Sequence, residues 1–216
     1  PTLGELRQEA EALGLDISAH GRSKTKIQAA IEALVSVFDE LEIPYFIGGS
    51  VASSVHGSPR STLDADLVAS LSREQVDALA DRLSSAFYAD REMIDDAVER
   101  RASFNVIHLE TVMKVDVFVL GSTPYDQTAF ERARSLPLVG PGGRHYRLSS
   151  AEDVILHKLH WYRAGAEVSE RQWGDVLGVL RVQGDALDHR YLERWAETLE
   201  VQDLLLKALQ EAGREE

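Results

Sequence analysis

The chain has 216 residues, 44% hydrophobic and 27% charged, which is the balance of a soluble globular protein of one domain, with or without an appendage. It has no cysteine, which excludes disulfides, thiolate metal sites and cysteine nucleophiles. A formal net charge of −13 disfavours non-specific nucleic-acid binding, so a nucleic-acid partner would need a local basic patch.

The first 42 residues read as a helical N-terminal arm. Leu3, Leu6, Ala10 and Leu13 recur at helical spacing, and Gly14 can end that helix. The stretch lacks a signal-peptide core, and no apolar run approaches a membrane span, so a cytoplasmic location is expected. Residues 18–23, "SAHGRS", look like a loop. A longer helix then carries Ile27, Ile31, Leu34, Val35 and Phe38 on one stripe. Arg22, Lys24 and Lys26 form a basic cluster. The arm weakly resembles a SAP or Rho-N-terminal helix-loop-helix, a nucleic-acid-binding form. Its eight acidic against four basic residues favour a structural role instead.

Residues 43–148 read as an α/β (α+β) core with a mixed sheet. "YFIGG" is a buried strand that ends in a turn, followed by a short helix over "SVASSVHG". "ADLVASL" is a second strand. "SREQVDALADRLSSAF" is a helix, with Ser72 as N-cap and Gln75 at the capping-box position. "DREMIDDAVERR" is another helix. "ASFNVIHLE" and "VMKVDVFVL" form an antiparallel hairpin. "LPLVGPGGRHYRL" reads as strand, glycine turn, strand. Residues 149–216 give four helices and a C-terminal helical region. Trp161, Trp173 and Trp195 lie on their stripes as packing residues. His157 and His160 read as core or interface histidines.

The chemistry concentrates in "GGSVASSVHGSPRSTLDADLV". Asp64 and Asp66 are two apart on a strand and therefore share a face, where two carboxylates repel unless a cation lies between them. Oxygen ligands of this kind suit Mg²⁺ or Mn²⁺. Asp116 sits in the most apolar strand, where an isolated ionised carboxylate is costly; if that strand lies beside the one carrying Asp64 and Asp66, the three can converge on one metal site. Lys114 is assigned to the opposite sheet face from Asp116. The Gly48–Gly49 turn before Ser50 would expose backbone N–H groups suited to phosphate.

The glycine-serine turn, the Asp-x-Asp pair and the later "VDVFV" resemble the nucleotidyltransferase superfamily of the DNA polymerase β type. "HGSPRSTLDADL" is closest to its small bacterial branch, which includes minimal nucleotidyltransferases and abortive-infection toxins. The resemblance implies roles for individual residues. Gly49 and Ser50 match the nucleotide-phosphate turn. Asp64 and Asp66 match the metal pair, and Asp116 matches the third carboxylate, which helps activate the acceptor hydroxyl. Arg60 and Thr62 match the branch's Arg-x-Thr-x-Asp segment, and Lys158 and Asp175 its helical Lys and Asp. Beside that, Arg60 can simply pair with an acidic residue, Lys158 reads as a solvated lysine, and Asp175 can pair with an arginine or cap a turn.

The implied activity is transfer of a nucleoside monophosphate from a nucleoside triphosphate, with Mg²⁺ or Mn²⁺, to a hydroxyl on RNA (tRNA included), a protein or a small molecule. A toxin-like member would have a cognate partner protein. The rival readings are a non-catalytic binding or regulatory module of a toxin–antitoxin or defence system, and a metal-dependent phosphohydrolase.

Overall fold

The computed structural model describes residues 17–138 and 143–213. Within them lie nine α-helices and a seven-stranded mixed sheet. The order along the chain is α1 (Ile17–Glu40), β1 (Tyr45–Ile47), α2 (Gly49–His56), β2 (Asp64–Ala69), α3 (Val76–Leu83), β3 (Phe87–Tyr88) and α4 (Arg91–Arg100). There follow β4 (Ser103–His108), β5 (Met113–Val119), α5 (Pro124–Arg132), β6 (Arg134–Pro137) and β7 (His145–Leu148). The chain continues with α6 (Ala151–Ala164), α7 (Glu170–Gln183), α8 (His189–Thr198) and α9 (Gln202–Ala212).

The sheet runs β3-β4-β5-β2-β1-β7-β6. Its centre is a parallel pair, β2 with β5, and β1 lies antiparallel to β2 on the other side. The expected β4–β5 hairpin and the β6–β7 pair are both antiparallel. The glycine turn joining the latter falls largely on residues 139–142, outside the described residues.

Alternation along β2 and β5 divides the molecule. Ala65, Leu67 and Ala69 of β2, with Val115 and Val117 of β5, are buried against α1, α3 and α4. The stripe Ile27, Ile31, Leu34, Val35 and Phe38 of α1 belongs to that same apolar cluster. A second cluster holds the C-terminal helices together: Ile155 and Leu159 of α6, Val176 and Val179 of α7, Trp195 of α8 and Leu205 of α9. Helix α2 reaches into it through Ala52. At Gly57, just past α2, a side chain would strike the backbone of α7 at Gly178 and Val179, so the glycine permits that close approach.

Local signals set the helix starts. Ser150, Ser169 and Asp188 each accept a backbone N–H from the first turn of α6, α7 and α8. Thr123 and Asp126 form a capping box with Pro124 at the first position of α5. The Ser72–Gln75 box is present, although its first turn is 3₁₀.

Two local expectations change. Residues 18–23 are helical rather than a loop. Gly21 costs about 1 kcal/mol in a helix interior, which cooperative propagation of a long helix absorbs. Phe87 leaves the helix expected to end there and, with Tyr88, pairs with β4 as the edge strand β3, which is too short to show a period of two. The helix expected over residues 3–13 lies outside the described residues. Among the described residues, no helix is long and apolar enough to cross a membrane.

Candidate active site

The second face of β2 and β5 carries Asp64, Asp66 and Val68 beside Lys114, Asp116 and Phe118. Asp66 and Asp116 are direct neighbours in the parallel register, and Asp64 is opposite Lys114. A cleft of about 670 Å³ opens over this face, between the sheet and helices α6 and α7. Asp64 and Asp66 line it, as do Gly48, Gly49, Ser50, Arg60 and Lys158. Asp116 stands beside Asp66 but outside that lining.

Gly49 shows why the turn needs glycine. Its φ is +53°, and a Cβ there would overlap the Asp66 carboxylate. The Gly48 N–H donates to the Asp66 carbonyl at 2.8 Å, and the Ser50 backbone N–H bonds the Asp66 side chain. The turn expected to cradle phosphate therefore already grips a carboxylate in this structure. Burial pushes the Asp66 carboxyl above its ordinary range, and the charges of Asp64 and Asp116 push it further.

Arg60 does what the second of its two readings expected. Its Nε and Nη2 fork onto the Asp175 carboxylate at 2.6 and 2.7 Å, while Nη2 also donates to Ser50 Oγ at 2.6 Å. Lys158 is not the solvated lysine read from the sequence. It is 8% exposed, with its Nζ 2.7 Å from Asp175 Oδ2. Helical periodicity places a residue on a face but does not reveal that α7 covers that face. Burial alone would raise the Asp175 carboxyl, but the bonds from Arg60 and Lys158 hold it below the usual range. The triad thus ties α2 and its following loop to α6 and α7 around the cleft.

Thr62 Oγ1 donates to Asp64 Oδ1 at 2.8 Å, orienting that carboxylate, and Arg171 approaches it to 4.0 Å. Lys114 corrects another expectation. Residues two apart on a strand share a face, so Lys114 lies with Asp116, and its Nζ is 2.6 Å from Asp116 Oδ2.

Two features of the cleft wall were not placed at the site from sequence. Trp161, read as a packing residue, is 54% exposed and lines the cleft. Its signal was its place three residues after Lys158 on one helix face. Arg171 had no sequence signal, because only the packing of α7 brings it near Asp64. Of the histidines, His157 packs edge-on to Tyr125 in the helical layer, and His160 is exposed on the cleft.

The donor chemistry is of the kind that suits a divalent cation: three carboxylates share one face, and Asp66, raised first by burial, is raised further by the charges of Asp64 and Asp116. Among the described residues, no group of three or more His, Asp or Glu side chains is placed so that it could hold a metal ion. Lys114 instead holds Asp116, so a cation at all three would displace its ammonium. Ser149 and Gln172, which also line the cleft, each carry a buried side-chain oxygen without a partner in the structure.

No protein-family model and no curated protein matches the chain. Solved structures do. The solution structure of the antibiotic-resistance factor ANT(2'')-Ia superposes with a TM-score of 0.56 at 16% identity, covering 86% of this chain and 96% of that one. The crystal structure of ANT(2'')-Ia with adenylyl-2''-tobramycin gives 0.52 at 14% identity, covering 80% and 95%. An antigenic nucleotidyltransferase-like protein from Paracoccidioides brasiliensis gives 0.51 at 16%, covering 87% and 94%. The chain has a nucleotidyltransferase fold. In that nucleotidyltransferase fold, the cleft described above is framed by the central strands and the C-terminal helices.

Proposed function

We propose that the chain is a nucleotidyltransferase of the small bacterial branch, moving a nucleoside monophosphate from a nucleoside triphosphate to a hydroxyl acceptor. The observation that carries this is Asp66. It sits against a glycine turn that admits no side chain, and it is register neighbour to Asp116 and two residues from Asp64. The Arg60–Asp175–Lys158 triad supports the branch assignment, since those residues matched the branch in sequence.

Asp64, Asp66 and Asp116 would hold Mg²⁺ or Mn²⁺. An ion held there would supply charge neutralisation at the triphosphate and at the departing pyrophosphate. The residues of the chain do the rest. Gly49 keeps the turn close to Asp66, and the backbone N–H groups of the turn would receive the triphosphate. Lys158 and Arg60 supply fixed positive charge at the same wall. Thr62 holds Asp64 in place. Asp116, released by Lys114, takes the acceptor's proton. The acceptor oxygen forms its bond to the α-phosphorus as the bond to the pyrophosphate oxygen breaks.

The test is incubation with each α-labelled triphosphate, a cell extract and Mg²⁺ or Mn²⁺. Label transferred to one fraction, and lost with Asp64→Asn, supports the proposal. Metal-dependent triphosphate binding without transfer in any extract would make the chain a binding module. Pyrophosphate release without labelled acceptor would indicate a phosphohydrolase.

A further inference from the structure

The acceptor end of the cleft follows from strand order, given the transfer reading above. In-line displacement puts the attacking oxygen opposite the leaving pyrophosphate across the α-phosphorus. The glycine turn follows β1, Asp66 stands on β2 and Asp116 on β5, and the three strands are neighbours in that order. With the phosphates at the turn, the acceptor approaches from the β5 side.

On that side, the next residue after Asp116 on the same face of β5 is Phe118, which lines the cleft. Trp161 of α6 meets it edge-on, with ring centroids 6.1 Å apart. Much of the indole remains open to the cleft. A large flat apolar surface left in a concave site gains from being covered by another flat ring.

The charges at this end argue against a polycation. Arg101 lines it and donates to the Leu120 carbonyl at 2.8 Å. Burial pushes His157 below the ordinary histidine range, which favours its neutral form near pH 7. The carboxylate of Asp126 also lines this end, but it accepts from the Thr123 N–H at 3.1 Å and the Thr123 hydroxyl at 2.7 Å. A molecule with several ammonium groups needs several carboxylates to face it. Beyond the catalytic acids, this end offers one, already bonded, together with a guanidinium.

We infer that the acceptor is a small molecule that carries its hydroxyl on a planar aromatic body, is uncharged or anionic, and lays its ring on a shelf formed by the face of Trp161 with Phe118 standing edge-on beside it. Trp161 is then a specificity-determining residue rather than a packing residue. The nucleobase is the other planar group in the reaction, and the test separates the two.

The probe is 6-hydroxy-2-naphthoate, added to the full chain without nucleotide and followed by calorimetry and tryptophan fluorescence. Saturable binding is expected. Trp161→Ala and Phe118→Ala should each weaken it, the former by roughly tenfold, while Trp161→Phe stays within about threefold of wild type. Tobramycin should not compete with the probe, and Trp161→Ala should leave Mg²⁺-dependent ATP affinity unchanged. Unaltered naphthoate binding in both alanine variants would overturn the inference, as would displacement of the probe by tobramycin. An equal loss of ATP affinity in Trp161→Ala would also overturn it, because the nucleobase would then own the shelf. Melting curves check that each variant folds, and Trp161→Phe with Phe118→Ala carries the test if Trp161→Ala does not. Failure of the transfer reading shows up differently: ATP does not bind, whereas the naphthoate still does.

Discussion

The two faces of strands β2 and β5 are made from the same short stretches of chain and have opposite physics. One face, with Ala65, Leu67, Val115 and Val117, is dry and packed under α1. The other, with Asp64, Asp66 and Asp116, carries like charges, and at Asp66 burial and the two neighbouring carboxylates both disfavour ionisation. The first face is the source of stability, and the second is a place where stability is given up to keep charges together. A strand can do both because successive side chains point to opposite sides.

The comparison can be broken most sharply at its centre. Asp66→Asn should lower transfer by roughly 10³-fold, while thermal stability holds or rises because a buried like charge is removed. Parallel turnover and melting measurements check this, and a large loss of stability would mean that Asp66 is structural. On the opposite face, Leu67→Ala should cost about 3 kcal/mol through the cavity it leaves. Denaturant unfolding measures that cost, and triphosphate affinity of the folded fraction should not change.

Asp175→Asn tests the triad at the edge of the polar face. It leaves Arg60 and Lys158 without their shared counter-charge and should cost about 2–3 kcal/mol. The sign with pH is fixed. The native Asp175 carboxyl lies below its unfolded value, so its contribution is present above the unfolded value of about 4 and is lost as pH falls through the native one. Wild type and variant melting temperatures should therefore converge on acidification below about pH 4. The smallest of the destabilising effects is expected from Gly49→Ala, about 1–2 kcal/mol for a left-handed backbone and a displaced carboxylate. Its mark is functional: triphosphate and metal affinity should fall together in calorimetric titrations.

Much of this arrangement was legible in the chain. The hairpin, the four C-terminal helices and the alternating carboxylates follow from periods of 2 and 3.6 residues, which are local properties. The glycine turn was also readable, because few other residues tolerate a positive φ or so close an approach. Lys114 was misassigned although alternation alone gives its face, and its contact with Asp116 is what that alternation requires.

Sequence by itself determined which side chains share a face and where elements begin. It did so because strand alternation, helical repeat and capping act over a few residues. Only the tertiary structure decided that Asp116 lies beside Asp66, that Lys158 is buried on Asp175, and that Trp161 faces a cleft. Strand order and helix docking bring together residues about 17 to 115 positions apart, and those choices depend on the summed burial of two apolar clusters. No local repeat encodes that sum, which is why the chemistry of single residues could be read early and their company could not.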